Sequence, residues 1–89
     1  MNFEWDETKC AENIRVRGLD FQDAIPAFFD VERKIWEDDR RDYGEVRYNM
    51  LAESNNRIFA VTFTIRAGVV RIISFRKAND RETRKYGQL

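Results

Sequence analysis

The sequence contains no histidine and a single cysteine, Cys10. Zinc ligation and nucleophilic catalysis by Cys/His or Ser/His/Asp arrangements are thereby excluded, because each needs an imidazole or several thiolates. One cysteine cannot close an internal disulfide, so a reducing compartment, the cytoplasm, is the expected location. Glycine is scarce, at four residues, and no phosphate-loop or dinucleotide pattern occurs among them. Proline occurs once, at Pro26. No apolar run approaches a membrane span, and Met-Asn-Phe-Glu-Trp-Asp lacks the basic-then-apolar order of a secretion signal. An excess of one charge is missing too, since 16 Lys and Arg balance 16 Asp and Glu.

What is present is a chain of 89 residues, 43% hydrophobic and 13% aromatic, which argues against disorder despite 36% charge. A single domain over residues 1–89 is expected, burying about 60–65% of the unfolded surface. The neutral total hides a polarity. From Arg66 onward Arg71, Arg76, Lys77, Arg81, Arg84 and Lys85 face only Asp80 and Glu82, so a basic C-terminal third sits on an acidic body. That distribution suits an anionic ligand at one place and a basic partner at another; the rival is a solvated mixed-charge surface.

Phe3-Glu-Trp5 alternates as a short edge strand does. Asp6 offers an N-cap for a helix over 7–17 that Gly18 stops, with Ala11, Ile14 and Cys10 as its apolar stripe. Asp20 caps a second helix in which Ala24, Ile25, Phe28 and Phe29 face inward and Pro26 predicts a kink or a late start. Residues 31–36 read as a strand with Val31, Arg33 and Ile35 on one face and Trp36 on the other. Residues 38–44 form the longest loop. The strand over 45–52 sets Val46, Tyr48 and Met50 against Glu45, Arg47 and Asn49. Ser54-Asn-Asn-Arg57 is a turn, because asparagine tolerates left-handed backbone. Asn79 caps a last helix, with Glu82 completing a capping box and Tyr86 ending it.

The stretch from Arg66 to Ala78 organises the rest. Gly68 signals a tight turn and a β-branched run follows. A three-residue loop, Arg66-Ala67-Gly68, pairs Phe63 with Arg71, Val61 with Ile73 and Phe59 with Phe75, which gathers one aromatic face. The other face then carries Ala60, Thr62, Thr64, Val70, Ile72, Ser74 and Arg76, with Arg66 at its rim, open to a ligand.

The chemistry left to such a chain is that of arginine, lysine, glutamate and tyrosine around phosphate. Cleavage of RNA by its own 2′-hydroxyl needs a proton acceptor, cations for the charged phosphorane and a donor for the leaving 5′-oxygen. Glu45 fits the base, and Arg47, Arg66 and Arg76 fit a phosphate clamp with forked donors. No metal or other cofactor is required; Asp38 and Asp39 could hold magnesium, although adjacent loop carboxylates are more often solvated. Each assignment has a plainer rival. In those readings Glu45 decorates a strand end paired with Arg47 and Arg71 lays its stem over Phe63, while Trp5 and Trp36 are more often core than base-stacking platforms. Tyr86 either stacks on a base or pins the last helix.

Phe3-Glu4-Trp5-Asp6, Lys9, Asn13, Asp20-Phe21 with Ala24, Phe28-Phe29-Asp30, Gly44-Glu45 with Arg47, and Arg71-Ile-Ile-Ser-Phe-Arg-Lys-Ala78 with Glu82 and Tyr86 together resemble the BrnT toxin family, in order over nearly the whole chain. The resemblance implies an α+β, RelE-like fold: an antiparallel meander with two N-terminal helices and one C-terminal helix. It implies a ribonuclease toxin of a type II pair that acts on RNA. Its partner would be a BrnA-like ribbon-helix-helix antitoxin, through which alone it meets operator DNA, and no membrane is involved. By position it implies Glu45, Arg47, Arg66 and Arg76 as catalytic residues. Lys9, Arg40, Arg71, Lys77, Arg81 and Tyr86 are the expected RNA contacts. Val16-Arg17-Gly18 stands where many members have Lys-His-Gly, so a role for that histidine is absent or passes to Arg17; Glu7 replaces a frequent proline. The rival from another class is a non-catalytic domain that holds RNA or protein on the same basic surface, or a degenerate toxin kept as a scaffold for its antitoxin.

Overall fold

The computed structural model describes residues 1–40 and 42–88; Arg41, in the expected 38–44 loop, lies outside the described residues. Helix α1 (Glu7–Arg17) starts where Asp6 Oδ1 accepts the backbone N–H of Lys9 at 3.0 Å and ends at Gly18, whose φ of 71° an L side chain would strain. The expected stripe of Ala11 and Ile14 is overturned, for both are exposed and the helix buries Cys10 and Asn13. Asn13 Nδ2 donates to the carbonyls of Phe75 and Leu19, both at 2.9 Å. Turning that amide inward swings the next residue, Ile14, about 100° away toward solvent.

The second helical segment (Phe21–Phe29) is a 3-10 helix capped by Asp20. Pro26 has no N–H for an α ladder, and the tighter winding places Phe21, Ala24 and Ala27 three apart along one buried edge. Phe28 joins them. Phe29, expected inward, falls off that edge and is 62% exposed.

The sheet has the order β1-β5-β4-β3-β2, formed by β1 (Phe3–Trp5), β2 (Lys34–Asp38), β3 (Arg47–Ser54), β4 (Arg57–Arg66) and β5 (Val69–Lys77). It is mixed rather than antiparallel, because β1 returns alongside β5 in parallel. Strand β2 starts later than expected. Asp30 Oδ1 accepts from Glu32 N and its carbonyl accepts from Arg33 N, closing a turn that leaves Val31 exposed. The Asn55-Asn56 turn has both residues at positive φ, as a type I′ hairpin requires.

The β4–β5 hairpin departs from the expected register. Its loop is the two residues Ala67-Gly68, both at positive φ, with Arg66 opposite Val69 and Thr64 opposite Arg71. A bulge opposite Thr62/Phe63 then absorbs Ile73, after which Val61 faces Phe75 and Ala60 faces Arg76. The bulge reconciles a two-residue turn with one apolar face, so Val70 and Ile72, expected on the open side, lie in the core.

That core sits between the sheet and the two N-terminal helical segments, where Phe28 meets Phe63 edge-on at 5.0 Å and Phe59 packs on Phe75 at 4.8 Å. Helix α2 (Asp80–Tyr86) packs against β3 and β4, and its capping box joins Asn79 and Glu82 reciprocally. Asp30 ties the elements together, accepting from Tyr86 Oη at 2.6 Å and Glu53 N at 2.8 Å. Among the described residues no helix is long and apolar enough to cross a membrane.

Candidate functional site

Strand alternation turns Trp36 and Asp38 of β2, Arg47, Asn49 and Leu51 of β3, Ala60, Thr62 and Thr64 of β4, and Arg71, Ser74 and Arg76 of β5 to the face away from the core. Register orders them in rows. Asp38, Arg47, Thr64 and Arg71 make one row, Trp36, Asn49, Thr62 and Ser74 the next, and Leu51, Ala60 and Arg76 the last. Four residues of strand separate the first row from the last, roughly 13 Å.

At the α2 end this face sinks into a groove of about 350 Å³ lined by Trp36, Arg40, Asn49, Thr62, Ser74, Arg76 and Glu82 among others. Arg76 forks onto Glu82, Nη1 to Oε1 and Nη2 to Oε2, each at 2.8 Å. Glu82 Oε1 also accepts the N–H of Asn79 at 3.0 Å, so both carboxylate oxygens are engaged. The guanidinium first, and the backbone N–H with it, draw the Glu82 carboxyl down to about 2 against the opposing effect of burial. Thr62 Oγ1 donates to Asn49 Oδ1 at 2.9 Å on the groove floor. Lys85 Nζ rests 3.8 Å from the Trp36 ring centroid.

Arg40 is the second groove arginine. Its Nε and Nη2 each reach a different oxygen of buried Asp38 at 2.9 Å, holding that carboxyl well below the usual range while the guanidinium stays mostly exposed. Arg40 and Arg76 line the same groove, each forked onto its own carboxylate. Asp38, weighed as a magnesium ligand, commits both oxygens to Arg40. Among the described residues no three His, Cys, Asp or Glu side chains cluster as metal ligands do.

The other end of the face carries Glu45, Arg47 and Arg66. Glu45 Oε1 accepts from Arg66 Nη2 at 2.9 Å and Nε at 3.2 Å, and Oε2 accepts from Arg47 Nε at 3.4 Å. These donors, Arg66 first, lower the Glu45 carboxyl below its ordinary value. Arg47 also lies 4.1 Å over the Tyr43 ring. Hence the structure brings Glu45, Arg47 and Arg66 together and sets Arg76 apart from them on the same face.

The remaining expected contacts are dispersed. Arg71, paired with Phe63 in the expected register, instead stands opposite Thr64 on the open face, with Nη1 on Glu4 Oε2 at 2.8 Å; the two-residue Ala67-Gly68 turn is the reason. Lys9 lies on α1, which packs against β5 from the core side. Lys77 closes β5 opposite the core residue Phe59, and Arg81 is exposed on α2. Tyr86 holds Asp30, which favours the pin over the base platform and pushes its phenol well up. Trp36, weighed as core before base platform, lines the groove instead, and so does Asn49, which was not singled out for the site from the sequence. The signal for Asn49 was its place on the face that carries Arg47.

A family model described as "Ribonuclease toxin, BrnT, of type II toxin-antitoxin system" matches residues 5–82. No curated protein matches the chain.

Proposed function

On the premise that the chain belongs to the BrnT family of ribonuclease toxins, with RNA as substrate and an antitoxin as partner, we propose a metal-independent cleavage on the open sheet face. In this reading Glu45 takes the proton of a ribose 2′-hydroxyl, and the 2′-oxygen bonds to phosphorus as the bond from phosphorus to the 5′-oxygen breaks. Arg47 and Arg66 hold the non-bridging oxygens, and the departing 5′-oxygen takes its proton from water. Arg76 and Arg40 hold the adjoining backbone in the groove, and Arg71, Lys77 and Arg81 add positive potential along its path.

The observation that carries this reading is the shared carboxylate of Glu45, held by Arg47 and Arg66 and, among the described residues, by no backbone N–H. A phosphate that draws either guanidinium away weakens the grip that keeps Glu45 a poor base, so substrate binding raises its proton affinity where a base is needed. Glu82 lacks this freedom. The antitoxin is read as a BrnA-like ribbon-helix-helix protein that supplies operator binding to the complex, and the fold as RelE-like.

The test is digestion of RNA by antitoxin-free protein in excess chelator. Cleavage to a 2′,3′-cyclic phosphate end, lost in Arg66→Ala, supports the proposal. Salt-sensitive RNA binding without fragments favours the non-catalytic reading.

A further inference from the structure

The face of the sheet opposite the proposed RNA site is only partly covered. The 3-10 helix stops at Phe29 and the chain turns away at Asp30, leaving the hairpin end of the apolar face bare. There a groove of about 320 Å³ is walled by Phe28, Ile35, Tyr48, Phe63, Ile65 and Val70, and Arg33 is the one charged side chain among its described lining residues. Ile35 and Ile65 are 45% and 53% exposed, although Phe63 and Val70 between them are buried. Isoleucines half out of water around a preformed groove are what a docking surface presents, not what scattered surface apolar residues do.

We infer that this groove receives an apolar-faced segment of the antitoxin carrying a carboxylate opposite Arg33. Three observations converge on that occupant. Membership of a toxin–antitoxin family supplies a protein partner, so the inference rests on the family and not on the RNA chemistry. Arg33, the one cationic side chain among the described residues of the groove, asks for an acidic segment rather than a neutral or basic one. The edge strand β2, which carries Ile35, also leaves its outer backbone groups without a neighbouring strand, giving the segment a border to lie along. Glu45 and Arg66 stand at the same end on the other face, so an occupant that continues round the β4–β5 turn covers them and silences the toxin.

Binding of purified antitoxin to the antitoxin-free toxin, measured by calorimetry beside RNA cleavage, tests the inference. Ile65→Asp and Ile35→Asp are expected each to weaken binding at least 100-fold, and Arg33→Glu about 10-fold, with cleavage at the parent rate. Ile14→Asp, exposed on α1, leaves binding unchanged. Isoleucine variants that cleave normally yet bind within threefold of the parent overturn the inference. So does a toxin that self-associates at micromolar concentration and loses this in Ile65→Asp, which assigns the groove to a second copy. Should no protein cleave RNA, the ribonuclease reading fails while the binding measurements still decide the groove.

Discussion

Both ends of the open sheet face pair arginine with glutamate, but the two carboxylates are held differently. Glu82 receives a two-pronged arginine and a backbone N–H, and its own N–H closes a helix cap on Asn79. Among the described residues Glu45 receives side chains only, from Arg47 and Arg66, and it sits before a strand rather than in a cap. A carboxylate locked into a helix cap orients an arginine; one shared between two guanidiniums can release either to an anion. Under the proposed mechanism similar partners thus serve two purposes, holding a phosphate-binding group in place and keeping a base in reserve.

The most direct way to break this comparison is Glu45→Gln. Cleavage falls by about 10²-fold or more, as loss of a general base does, while the melting temperature falls less than in Glu82→Gln, because no helix cap is lost with it. An RNA end-point assay with a melting curve reads both. If Glu82→Gln instead showed the larger drop in rate, the roles would be reversed.

Glu82→Gln is expected to lower stability by about 1 kcal/mol, since it weakens a cap and leaves Arg76 without its charged partner. Cleavage drops roughly 10-fold through a poorly aimed Arg76, a loss well short of that expected at Glu45. The folded carboxyl of Glu82 lies at about 2, below its ordinary 4.5, so its contribution is present in full above pH 4.5 and disappears as the pH falls toward 2. Acid unfolding curves of parent and variant therefore converge over that window.

Tyr86→Phe removes the bond to Asp30 and costs about 1 kcal/mol in chemical denaturation, with RNA affinity unchanged. Because Asp30 raises the Tyr86 phenol, that bond helps the parent below pH 10 and is lost as the pH climbs above it. A drop in RNA affinity would return Tyr86 to the base-stacking role. The smallest effect belongs to Lys9→Ala. On the helical layer behind the sheet it changes cleavage by less than about twofold, which a rate at moderate salt will check.

Local signals carried much of the fold. Asp6, Gly18, Asp20, Asn79 with Glu82 and the Asn55-Asn56 turn bracket their elements as their chemistry requires. Errors came where one local rule was extended without the tertiary context. Constant two-residue alternation produced a three-residue loop, since a bulge at Ile73 leaves no mark in composition. Apolarity put Ile14 inside helix α1 when Asn13, with carbonyls of Leu19 and Phe75 to satisfy, took that place. Within the site, Glu45 and Arg47 were legible as strand neighbours. The fork of Arg76 onto Glu82 depends on how α2 folds back, which neither residue announces.

The parallel pairing of β1 with β5 has a consequence for synthesis. Phe3 and Trp5 find their partners at Val70 and Ile72, so the first strand to leave the ribosome must wait for the last one before its edge of the sheet exists. At roughly 5–20 residues per second that delay is on the order of several seconds. Until β5 emerges the chain has neither that edge nor the part of the open face that carries Arg71 and Arg76.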